Sequence, residues 1–208
     1  MIRTLAAALA AALLAAPAAA ATVSFDFTGG RGQSSTAHTF SEDGLDLTVG
    51  GRKCFLSVCG NVAVQHWSTG FGLDFDIFGI ADDHQIDGAF GSEAVTLAFS
   101  RAVSITALSF SHVDRSDDVA VFRVMNGDFV RDASGSITRL GSGLGSFTLT
   151  GGIEALRFGV AALDWDDNFK LRGVTVSYDE PAPVPLPAAG WMLMAAIGGL
   201  AAARRRRA

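Results

Sequence analysis

The sequence predicts an all-β domain, an antiparallel β-sandwich of jelly-roll type. Three observations carry that expectation. Apolar and polar residues alternate with period two over many short stretches, the pattern of a strand with one buried face. Between those stretches lie Gly, Asp, Ser and Asn, with 21 of the 24 glycines falling in residues 22–179, where turns between strands need them. The chain also holds 15 Phe with many Val and Leu, enough to fill the space between two sheets, and no window has the 3.6-residue periodicity of an amphipathic helix.

Taken in chain order, residues 1–21 have the three parts of a secretory signal peptide. A cationic start (Met1, Ile2, Arg3) leads into an apolar run from Leu5 to Ala16, and small residues follow Pro17. Cleavage is expected near Ala20 or Ala21, after export by the Sec translocon and by the action of signal peptidase. The apolar run is shorter than the ~20 residues a membrane-spanning helix requires.

The domain proper occupies residues 22–179. Its first strand is Thr22–Thr28, with Val23, Phe25 and Phe27 on one face. Further strands are expected at Leu45–Val49, Val62–His66, Val95–Phe99, Val103–Phe110, Val119–Val124, Phe147–Leu149, Leu156–Val160 and Val174–Tyr178. Gly50-Gly51, the Gly141–Gly145 stretch and Gly151-Gly152 read as turns. Two segments resemble each other: Ala107–Phe110 leads to Asp117-Asp118 and a strand, and Ala155–Phe158 leads to Asp166-Asp167 and another strand. Both read as hairpins with an acidic tip, by duplication or by convergence on similar burial.

After the domain, Glu180–Pro187 is rich in proline and should stay extended as a stalk. Residues 188–203 then run without a charge, and Arg204, Arg205, Arg206 and Arg207 follow at once. As a helix at ~1.5 Å per residue this run reaches only ~24 Å, a marginal span of a ~30 Å hydrocarbon core. The arginines should stop transfer and stay on the cytoplasmic side of the inner membrane.

Val184, Pro185, Leu186, Pro187 and Ala188, followed by a short apolar helix and a terminal arginine cluster, resemble the VPLPA variant of the PEP-CTERM sorting signal. The resemblance covers about 25 residues. It implies that residues 188–208 are a transmembrane sorting helix with a basic tail, held transiently in the inner membrane of a Gram-negative bacterium. It also implies an exosortase that recognises the motif, removes the tail and passes the protein to the cell surface or the exopolysaccharide matrix of a biofilm. More loosely, the stretch from Asp87 to Phe122 resembles the sandwich domains found ahead of such tails, a likeness that implies no particular activity.

Charge narrows the function classes. All 21 Asp and Glu lie between Asp26 and Glu180, while five of the 16 Lys and Arg lie at the two ends, so eleven cations face 21 anions in the middle, a net −10. A nucleic-acid partner is excluded by that balance, because phosphate binding needs a cationic surface.

Cys54 and Cys59 should pair in a structural disulfide, since an exported chain meets an oxidising compartment and the spacing suits neither a zinc site nor a redox motif. Asp164, Asp166, Asp167 and Asn168 place oxygen ligands at a spacing that suits Ca2+, and Asp114, Asp117 and Asp118 add to them if the two acidic loops are neighbours. The same residues are also ordinary turn formers on a solvated surface. Asp82-Asp83-His84 with Asp87, and His112 with Asp114, bring histidines near carboxylates, yet no known nucleophile, metal-helix or phosphate-loop motif is present, and the domain is expected not to be an enzyme. A secreted hydrolase would need two carboxylates converging in one cleft. Trp67 and Trp165 either offer flat faces to sugar rings, as in a calcium-dependent carbohydrate-binding module, or close the ends of the core. The expected role is a non-catalytic structural or adhesive one in exopolysaccharide.

Overall fold

The structure is a computed structural model that describes residues 20–55, 58–74, 84–88, 92–126, 128–152, 154–180, 197 and 204–206. Residues 21–178 form one compact unit. Most of the signal peptide, the sorting motif and residues 188–203 apart from Ile197 lie outside the described residues. Among the described residues no helix is long and apolar enough to cross a membrane.

Fourteen strands follow in order: β1 (Ala20–Asp26), β2 (Gln33–Ser35), β3 (His38–Glu42), β4 (Leu45–Phe55), β5 (Val58–Trp67), β6 (Gly70–Asp74), β7 (Ile86–Asp87), β8 (Ser92–Ser111), β9 (Asp118–Met125), β10 (Asp128–Ser136), β11 (Thr138–Gly141), β12 (Leu144–Thr148), β13 (Glu154–Ala162) and β14 (Asn168–Asp179). Their order across the sheet is β1-β14-β6-β5-β4-β8-β13-β9-β10, and β8 also pairs with β12 and β14. The 20-residue β8 organises the whole. Its first half pairs with β4 (Cys54 opposite Ser92 through Leu47 opposite Phe99) and with β13 (Ala161 opposite Ala94). Its second half pairs with β14 (Lys170 opposite Ser111) and with β12 (Leu144 opposite Ser111). Because β14 also meets β6 at Leu171 and Phe71, the path β14-β6-β5-β4-β8 returns to β14, and the sandwich is closed on one side in the manner of a barrel.

Alternation explains the core. Val95, Leu97 and Phe99 face in from β8, Leu45, Leu47 and Val49 from β4, and Phe158 and Val160 from β13. Irregular register resets the phase on β14, which buries Phe169 and Leu171 before the break and Val174, Val176 and Tyr178 after it. The expected strands coincide with observed ones, except that Thr22–Thr28 runs two residues past the end of β1 and Phe147–Leu149 one residue past the end of β12, but Gly50 and Gly51 are no turn. They lie inside β4, where a Cβ on Gly51 would come 2.9 Å from the Val62 carbonyl oxygen, so glycine there serves close strand packing. On the same strand Lys53 and its register partner Glu93 form a buried ion pair, Nζ to Oε1 2.6 Å. The Glu93 side chain is fully buried, and its second oxygen accepts from the Asp87 amide at 3.3 Å.

Candidate functional site

The two acidic segments are not hairpin tips. The strands on either side of each loop belong to different pairings: β8 pairs with β14 and β12 at its far end, while β9 pairs with β13 and β10. The loops β8–β9 and β13–β14 are therefore arches that carry the chain from one pairing to the other, side by side at one end. The register shows why they meet, since Val119 lies opposite Ala162 and Ser111 opposite Lys170.

A reciprocal clasp joins the arches. Asp117, 2% exposed, accepts from the Asn168 amide at 3.0 Å and from the Asp114 amide at 2.7 Å. Asp167, 1% exposed, accepts from the Asp118 amide at 2.8 Å, and its other oxygen accepts from Leu163 at 2.9 Å and Asp164 at 2.6 Å. Each carboxylate thus binds its own loop three residues back and the first residue of the strand leaving the other loop. The equivalence is Asp117 with Asp167 and Asp118 with Asn168, one position away from the pairing of Asp117-Asp118 with Asp166-Asp167 that the sequence suggested. Burial pushes both carboxyls above the ordinary aspartate value, and the main-chain donors oppose that shift.

The remaining calcium candidates sit outside the clasp. Asp114, Asp164 and Asp166 are exposed, and Asp118 and Asn168 are half-buried at the strand starts. The Ser116 amide and hydroxyl donate to Asp114 and hold its carboxyl below the ordinary value. Among the described residues no group of three or more His, Cys, Asp or Glu is gathered so as to hold a metal ion. The oxygens of Asp117 and Asp167 face main-chain N–H groups, so what these two carboxylates visibly do is fix two crossovers.

The histidine and tryptophan candidates separate. Asp82 and Asp83 lie outside the described residues. His84 stacks on Trp67 with ring centroids 5.7 Å apart, the Lys170 ammonium lies 5.2 Å from the Trp67 ring, and a Cβ on Gly32 would touch the indole. Trp67 is thus packed against one end of the domain, whereas Trp165, at the tip of the second arch, is 80% exposed. His112 Nδ1 lies within hydrogen-bond distance, 3.2 Å, of Ser111 Oγ. Cys54 and Cys59 form a disulfide as expected, between register partners at the tip of β4 and β5, with Cα atoms 4.0 Å apart.

A cleft that the sequence did not announce lies on the outward face of β4, β8, β13 and β9. Its volume is about 370 Å³, and its lining includes Ala94 and Ala161, with Arg52, Phe129, Phe122 and Arg131 among the larger side chains. The Arg52 guanidinium lies 4.9 Å from the Phe129 ring centre and that of Arg131 lies 5.7 Å from Phe122. The two rings are 6.0 Å apart and steeply tilted. Phe129 reaches over β13 because Gly159 has no side chain, as a Cβ there would stand 2.4 Å from the ring. The cleft escapes sequence reading because its four large residues come from three strands, and β10 reads as loop. The one available signal is Arg52 and Phe122 at outward positions of their strands.

No protein-family model matches the chain, and no curated protein matches it. Among solved structures it is similar to the module CBM32-3 from a family 31 glycoside hydrolase of Clostridium perfringens, with 14% identity and a TM-score of 0.31 over 43% of this chain and 67% of that one. No ligand or activity is carried across from that likeness.

Proposed function

We propose that the protein is exported and works at the cell surface or in the extracellular matrix as a non-catalytic β-sandwich, after an exosortase has removed its C-terminal tail. The observation that carries this reading is the Cys54–Cys59 disulfide in a domain whose sequence is flanked by residues 1–21, with the pattern of an export signal, and by Val184–Ala188, an apolar run and four arginines. A disulfide persists in oxidising compartments, and the two ends are addresses rather than parts of the core. The architecture suits a structural or adhesive part, because its buried carboxylates hold the main chain and His84 is engaged in packing. Replacing both Pro185 and Pro187 with Ala should leave an uncleaved precursor in the inner membrane, detected by fractionation and immunoblotting. Normal release of that variant would overturn the sorting claim.

A carbohydrate-binding role, calcium-dependent or not, is favoured by one observation, the 80% exposed Trp165 at the tip of an arch. A flat amphipathic ring held out by a clasped loop suits stacking against a sugar. Retardation of the protein in a gel containing the cell's own exopolysaccharide, weakened by Trp165→Ala, tests it. Loss of retardation on chelation would assign calcium a part.

A further inference from the structure

We infer that the cleft between Arg52 and Arg131 binds a carboxylate-bearing sugar ring, so that the polysaccharide this domain holds is an anionic one. The inference rests on the carbohydrate-binding reading and adds a second surface and a substrate class to it.

In a domain of net −9, eleven cations are available, and two of them line one cleft. Among the described residues neither the Arg52 nor the Arg131 guanidinium has a hydrogen bond or ion pair, and Arg52 Nε is buried with no partner. That nitrogen is shut off from an arriving acceptor as it is from water, so contact with a ligand falls to the terminal nitrogens of Arg52, which are not buried, and to Arg131. One acid, Asp128, also lines the cleft. It is exposed, so water screens its charge better than that of the half-buried Arg52.

Shape and surface select the ligand. Each guanidinium lies over a phenylalanine ring, and a guanidinium offers the paired N–H donors that match a carboxylate. Ala94 and Ala161 give the cleft an apolar lining against which the C–H side of a pyranose can pack, while the Phe122 and Phe129 rings carry the two guanidiniums. About 370 Å³ falls at the small end of ligand-site volumes, room for one or two sugar rings.

The test is affinity electrophoresis of the whole released protein in gels containing polygalacturonate, its methyl ester, or neutral dextran. The inference predicts retardation by polygalacturonate alone, lost at high salt as expected for exposed charge pairs. Arg131→Gln, at an exposed position, and Arg52→Gln should each weaken retention about tenfold, the scale of one charge-assisted hydrogen bond. An unchanged melting temperature of Arg131→Gln would show that its loss is not unfolding. Equal retention by the methyl ester, or unaltered retention of both arginine variants, would overturn the inference. Retention by dextran alone would overturn it while leaving the carbohydrate reading in place, and retention by neither these glycans nor the native exopolysaccharide would overturn both.

Discussion

Asp117 and Asp167 show how much one side chain can settle. Both loops read equally well as calcium ligands or as solvated turns, and the difference lay in what the oxygens face, which no spacing reveals. The structure turns two of the carboxylates inward onto main-chain amides and leaves Asp114, Asp164 and Asp166 outside. For Asp167, Asn is a poor substitute. Its one amide oxygen cannot serve all three N–H donors, and the NH2 group meets at least one of them head-on. Asp167→Asn should therefore cost about 1–3 kcal/mol in urea unfolding at neutral pH, the cost of a buried unsatisfied donor. The pH dependence has a definite sign. Burial raises the folded-state value above the ordinary 3.8, so this group's stabilisation is fully present below 3.8 and is lost as pH rises through the raised value. A protonated carboxyl keeps two acceptor oxygens, which the amide does not, so the variant does not reproduce the acid form. The stability gap between the two proteins should be widest below pH 3.8 and narrow above it. A gap that widens as pH rises would contradict the assignment of the shift to burial.

At the scale of the element, longer strands with an alternating buried face were legible, whereas strands without a buried face were not, and neither was the short, glycine-rich β6, although its Phe71 and Leu73 are fully buried. β1, β4, β8 and β14 announce themselves through Val23 and Phe25, Leu45 and Leu47, Val95 and Leu97, and Val174 and Val176, all buried. β10 (Asp128–Ser136) and β11 (Thr138–Gly141) carry mostly exposed positions, with Val130 and Leu140 turned to solvent, so periodicity had nothing to register. The arches were misread for a related reason. Local sequence shows strand, acidic loop, strand, but partners are chosen across the sheet, and only the long-range pairing of β8 with β14 and of β9 with β13 tells an arch from a hairpin. The Lys53–Glu93 pair joins β4 to β8 in the same non-local way, and it yields a test. Lys53→Met alone should lose about 3–5 kcal/mol, because it takes the cation away from a buried carboxylate, whereas adding Glu93→Leu should recover most of the loss. Urea unfolding of the wild type, the single and the double variant measures both. A single variant as stable as the wild type would show that the pair does not hold the two strands.

For the whole molecule, the two apolar ends and the acidic middle differ sharply in composition, and on the proposed reading they serve different tasks. Averaged over the chain the charge is −5, yet the domain of residues 22–179 alone carries −9 once the terminal arginines and Glu180 are set apart. The compact unit spans residues 21–178. Such a surface remains dispersed by its own repulsion and relies on ionic strength to lower that repulsion in the folded state. It also makes the cationic cleft an exception in the domain's field, so an acidic glycan must approach against the domain's overall charge and gains only at close range. The central claim, that this domain is delivered outside the cell by two addresses removed on the way, is tested most directly by the intact mass of the protein recovered from the host's surface and matrix fractions. The account predicts a species that begins near Ala21 or Thr22, contains one disulfide and lacks Arg204 to Arg207. A surface species whose mass includes the whole C-terminal tail would contradict it.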